Sequence, residues 1–85
     1  MHSSLYYALT YTQQERTMDF MRAQFVGKDV QVYPNDTYKK IAKVLDINDA
    51  GVTFLVTESA DPRGWPVNST RFVAFSASLS FTLVQ

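Results

Sequence analysis

Lys39, Lys40 and Lys43 set three ammonium groups within five residues, and Tyr33 and Tyr38 lie just ahead of them. Cations interleaved with aromatic rings are equipment for holding single-stranded nucleic acid: the ammonium groups neutralise phosphates and the bases stack on the rings. If residues 38 to 47 form a strand, Lys39 and Lys43 fall on one of its faces, with Arg71 nearby on a later strand. A plainer reading competes. Lysines on a strand keep a sheet soluble and discourage pairing along its edge, and eight acidic residues balance the eight basic ones.

The segment 58–67 carries the second candidate chemistry. Pro62 and Pro66 restrict it, Gly64 allows a sharp turn, and the single tryptophan, Trp65, lies two residues after Arg63. Tryptophan and arginine dominate protein-binding hot spots, and a constrained loop presents them at low entropic cost. Trp65 therefore either meets a partner or folds back to cap one end of the core. Arg63 stacked on its ring would serve both.

Catalytic equipment is sparse. The only histidine is His2, and there is no cysteine, so neither a Ser-His-Asp nor a Cys-His arrangement has a positioned base. Asp46 with Asp49, or Glu58 with Asp61, are the remaining carboxylate pairs, and acids at such positions are usually solvated turn formers. Asp46 to Gly51 resembles the start of a calcium loop, but Ala50 and Thr57 stand where ligands are needed. A hairpin turn closed by Gly51 is the better reading. Asn35-Asp36-Thr37 and Asn68-Ser69-Thr70 fit the glycosylation pattern and read as chance turns. The expectation is a protein that is not an enzyme and uses no cofactor and no metal.

The elements that must position these residues follow from periodicity. Leu5, Tyr7, Leu9 and Tyr11 alternate like a short strand, although a first helical turn could use the same residues. Thr12-Gln13-Gln14-Glu15 is a capping box, Met18, Met21 and Phe25 recur along one helix face, and Gly27 supplies the stop. These predict a helix over 13–26. Phe20 lies off that stripe and leaves apolar surface for a partner or another subunit.

Residues 27–33, 38–47, 52–58, 69–75 and 79–84 are rich in β-branched and aromatic side chains, and turn residues separate them. In the second of these strands Ile41, Leu45 and Ile47 share a parity with Lys39 and Lys43, against Tyr38, Ala42 and Val44. Apolar residues on both faces predict a strand that bends, with its faces exchanging roles. The sequence thus predicts one domain over residues 1–85. It is a mainly β (α+β) fold, an N-terminal helix and then a five-stranded, strongly bent antiparallel small barrel, with an extra strand ahead of the helix.

Net charge is zero and the pI about 6.5, so binding to nucleic acid or an anionic membrane would rest on a local patch. No apolar run approaches the roughly 20 residues of a membrane span. The first residues lack the pattern of a signal peptide, so a cytoplasmic protein with no membrane partner is expected.

Helix first, then five strands with a long bent second one and a tight turn before a short last one, resembles the Sm-like barrel of the Sm, Lsm and Hfq proteins. Residues 25–33, Phe-Val-Gly-Lys-Asp-Val-Gln-Val-Tyr, are similar to the opening of the first Sm motif. Val44-Leu45-Asp46 corresponds to its bent strand and acidic residue, and Gly51 to Leu55 to its third strand. Lys39-Lys40-Ile41-Ala42 stands where that family has a glycine. Neither the Arg-Gly pair nor the Tyr-Lys-His of the second motif is present, so no RNA-contacting residue carries over. Other SH3-like barrels share this strand count and bind very different things. What the resemblance implies is barrel geometry.

Together these readings favour a homo-oligomeric binding module for RNA, with Lys39, Lys43 and Arg71 on phosphates and Tyr33 and Tyr38 as stacking surfaces. The alternative is a protein-interaction or inhibitor module, such as an accessory protein of a mobile element or virus. It would bind a host protein through Arg63, Trp65 and the helix face around Phe20.

Overall fold

Met18, Met21 and Phe25 repeat with helical spacing, and α1 (Gln13–Phe25) presents them to the core. This is a computed structural model, and it describes residues 13 to 84. The strand expected over residues 5–11, His2, and the Thr12 half of the capping box lie outside the described residues. The helix stops where expected: Gly27 takes φ +84°, which glycine adopts without steric cost. Its amide then donates to the Val44 carbonyl at 2.8 Å, and the Val44 amide donates to Lys28 at 3.0 Å. Arg22 ties the helix to the far end of the same strand through Nε to the Ile47 carbonyl, 2.6 Å.

Five antiparallel strands follow: β1 (Asp29–Val32), β2 (Lys40–Ile47), β3 (Gly51–Ser59), β4 (Thr70–Ala74) and β5 (Phe81–Leu83). A short 3-10 turn, Phe75–Ala77, joins the last two. The fold is mainly β with an N-terminal helix, as its periodicity predicts. The strands lie in the order β4-β3-β2-β1-β5, so β4 and β5 form opposite edges. The expected barrel is therefore corrected to a bent sheet that is not closed.

The inner face is made by Val30 and Val32, by Ala42, Val44 and Ile47, by Val52, Phe54 and Val56, and by Val73. Burial of each large apolar side chain contributes about 1.5–3 kcal/mol. Phe25 packs edge-on against Phe81, which packs edge-on against Phe54, with centroids 5.0 and 5.8 Å apart.

The face exchange expected in β2 has a clear cause. Val44 pairs with Phe54 and Asp46 with Thr53, which leaves Leu45 as the extra residue of a bulge. The bulge returns Ile47 to the inside after the exposed pair Leu45 and Asp46.

Gly51 sits in the hairpin between β2 and β3, where Asn48 Oδ1 accepts the Ala50 and Gly51 amides at 2.8 and 3.1 Å. A side chain at Gly51 would meet the Val73 carbonyl and would stand 2.8 Å from Ala74 Cα and from the Phe72 ring. Glycine is needed there because another backbone passes close by. No helix among the described residues is long and apolar enough to cross a membrane.

Candidate functional site

Lys40 opens β2 and has the same parity as Ala42 and Val44, so the strand turns it inward. Its side chain is 2% exposed. A buried ammonium is costly unless paired and hydrogen-bonded, and the turn between β1 and β2 supplies both. Lys40 Nζ donates to Asp36 Oδ2 at 2.5 Å and to the Tyr38 carbonyl at 2.9 Å. It also stands 5.9 Å from the ring centres of both Tyr33 and Trp65. The hydrogen bond from Lys40 and then the Thr37 amide, 2.8 Å from Oδ1, hold the Asp36 carboxyl below its ordinary value. Asp36 remains 47% exposed.

Trp65 links this cluster to β4. Its amide closes a turn on the Asp61 carbonyl at 2.8 Å, and the residue is 8% exposed, its ring 6.4 Å from both Tyr33 and Phe54. Arg71, opposite Phe54 in the sheet register, lays its guanidinium 4.4 Å from the ring centre and donates to the Gly64 carbonyl. Arg71, Trp65, Lys40 and Tyr33 thus form a continuous stack of alternating cations and rings.

Beside this stack is an open cavity of about 380 Å³ lined by Tyr33, Asn35, Asp36 and Ser80. That volume is at the small end of the range for ligand sites. Tyr33 has φ +50°, a strained conformation for a bulky residue. Its position is held by its amide on the Ser80 carbonyl at 2.8 Å and by its hydroxyl on the Ala77 carbonyl at 3.3 Å. Ser78, which closes the 3-10 turn ahead of Ser80, is also left-handed at φ +56°. Strain of this kind persists only where the surroundings over-determine it, and it clusters at functional sites. The walls offer one aromatic face, a carboxylate, an amide and a hydroxyl. Such a set can seat a flat, polar group by stacking and hydrogen bonding, without net charge.

The predicted basic face is not assembled. Lys43 lies on the outer face, in register with Leu55 and Asp29. Arg71 is on the inner face under Trp65, so the expectation that it neighbours Lys43 is corrected. Lys39 is exposed and paired with Glu58 at 3.8 Å. Tyr38 is 55% exposed.

Of the two alternatives for the loop, the structure selects the one in which Trp65 folds back, and it corrects the use of Trp65 as a partner contact. Trp65 belongs to the core, which removes its ring from any partner surface, and Arg71 rather than the exposed Arg63 stacks on it. Phe20 is 68% exposed, as its place off the helix stripe predicts. Among the described residues, no group of three His, Cys, Asp or Glu side chains is placed to hold a metal ion.

Sequence reasoning missed Lys40 as a buried residue, although parity with Ala42 and Val44 and the i,i+4 spacing to Asp36 both signalled it. Asn35 and Asp36 read as turn formers and Ser80 as a residue of the last strand, and none carried a separate signal. No protein-family model, curated protein or solved structure matches the chain.

Proposed function

We propose that this chain is a non-enzymatic binding module for single-stranded nucleic acid, RNA ahead of duplex DNA, acting at the cavity beside Tyr33. The observation that carries this reading is an open cavity walled by a strained tyrosine and a half-exposed carboxylate, with exposed Tyr38 and Lys39 in the same connection. Rings that accept a base and a nearby cation for phosphate are the minimum for sequence-tolerant binding of single strands. Lys43 is a further phosphate contact from the outer face. Arg71 makes no such contact in this reading, because its guanidinium is engaged by Trp65 and Gly64.

The order of helix and strands supports an Sm-like or SH3-like relationship. Among the described residues, β4 and β5 each pair along one side only, which supports self-association by edge pairing with another copy.

Light scattering on a sizing column, with and without a short single-stranded RNA, tests both points. An oligomer that shifts onto RNA, and loses it in Tyr33→Ala and Tyr38→Ala with the fold intact, upholds the reading. A monomer that ignores RNA overturns it.

A protein-binding module is the second reading, favoured by the exposure of Phe20. It predicts that Phe20→Ser and Arg63→Ala abolish capture of one specific protein while the melting temperature stays unchanged.

A further inference from the structure

We infer that the cavity beside Tyr33 is a guanine-selective base pocket, with Asp36 reading the base edge. This inference rests on the nucleic-acid reading above. An ionised carboxylate only accepts hydrogen bonds and has about four lone-pair directions. Among the described residues two donors engage Asp36, Lys40 Nζ on one oxygen and the Thr37 amide on the other. Each oxygen therefore keeps acceptor capacity, and the half-exposed carboxylate lines the cavity. The Lys40 bond holds the group as an anion and anchors it to the buried stack, so its direction is set before a ligand arrives.

Among the four bases, guanine alone carries two adjacent donors, N1–H and the N2 amino group, on its Watson–Crick edge. Cytosine and adenine each place a ring acceptor beside their amino donor, and uracil flanks its one N–H with two carbonyls. All three turn a lone pair toward the carboxylate, which a buried or half-buried anion disfavours. Asn35 and Ser80 supply the donors that O6 of guanine accepts, and the Tyr33 ring supplies a stacking surface. The same chemistry would also admit a free guanine nucleotide, and the test separates the two sources.

The probe is a labelled uridine hexamer with one central guanosine, titrated with the full chain and read by fluorescence anisotropy. Adenosine- and inosine-centred hexamers are compared with it; inosine keeps N1–H and lacks only the amino group. The guanosine hexamer binds roughly tenfold tighter than the adenosine one, as one bidentate pair allows, and inosine loses most of that preference. Asp36→Asn abolishes the preference. The double variant Asp36→Asn, Lys40→Met does the same without leaving an ammonium stranded, and the inosine arm needs no variant at all.

Equal affinity for all three hexamers overturns the guanine assignment and leaves the nucleic-acid reading standing. If no hexamer binds, the nucleic-acid reading falls, and guanosine monophosphate decides the pocket through the amide NMR signals of Asn35, Asp36 and Ser80. Shifts confined to those signals uphold guanine recognition of a free nucleotide. No shift overturns it.

Discussion

Trp65→Ala should be among the most damaging single substitutions in the chain. Trp65 is 8% exposed, and its ring lies against four parts of the sheet: Phe54 in β3, Tyr33 after β1, Lys40 in β2 and Arg71 in β4. A buried tryptophan removes roughly 200 Å² from water, worth about 5 kcal/mol at ~25 cal/mol per Å². Measured truncations of buried phenylalanine and tryptophan to alanine cost about 3–5 kcal/mol. An 85-residue domain holds only about 4–13 kcal/mol in total at roughly 0.05–0.15 kcal/mol per residue.

One substitution thus removes a large share of the stability. At about 4–8 °C per kcal/mol the melting temperature should fall by roughly 12–40 °C. Circular dichroism melts with a matched urea titration measure this without relying on tryptophan fluorescence. Arg71→Met is the control: it removes the guanidinium but keeps apolar cover on the ring, and should cost about 0.5–2 kcal/mol. A Trp65→Ala protein that melts cooperatively within about 3 °C of wild type would refute the placement of the ring in the core.

The remaining expectations concern the clasp and the hairpin. Lys40→Met should remain within about 1 kcal/mol of wild type, because Asp36 is half-exposed and water can take over its pairing. Asp36→Ala should be clearly worse, since it strands the buried ammonium; equal urea midpoints for the two variants would contradict this. Asp36 has a depressed carboxyl pKa in the folded chain, so its stabilisation is present above the unfolded value of about 4 and is lost as pH falls through the folded value. Acid titration of stability should therefore show a loss below about pH 4 in wild type that is smaller in Asp36→Asn. Gly51→Ala should cost about 1–3 kcal/mol by overpacking, because its neighbours there are the backbone of Val73 and Ala74. A urea midpoint unchanged by that substitution would show that β3 and β4 separate freely.

Local pattern made the elements legible and left the site largely hidden. The stripe of Met18, Met21 and Phe25 bounded α1, and alternation located all five strands to within a few residues. Even the bend in β2 was signalled, because Ile41, Leu45 and Ile47 could not all be inside while Ala42 and Val44 were. What the pattern could not supply was the partner across the sheet. Arg71 and Lys43 both read as strand cations, yet the register that sets Arg71 opposite Phe54 and Lys43 opposite Leu55 puts them on different faces. Trp65 could face either way until the Asp61 turn and the Arg71 guanidinium were known. Closure failed for a similar reason: strand number was readable, but whether β4 reaches β5 depends on long-range geometry.

The placement of charge decides what kind of binder this fold can be. Arg22 is spent on Ile47 and Asp19, Lys40 on Asp36, Arg71 on Trp65 and Gly64, and Lys39 is shared with Glu58. Among the described residues, the cations assigned to phosphate are Lys39 and Lys43, so counterion release contributes little, with a salt slope for single strands of only about −0.7 to −1.4. Affinity must then come from stacking on Tyr33 and Tyr38 and from hydrogen bonds to Asp36, Asn35 and Ser80. These depend on base identity far more than phosphate contacts do. A single cavity of about 380 Å³ used in this way would be selective but weak. Copies joined through the edge strands β4 and β5 would present several such cavities to one nucleic-acid strand, and linked weak sites gain avidity without any new contact. If the proposed binding holds, self-association and base selectivity would be two parts of one mechanism.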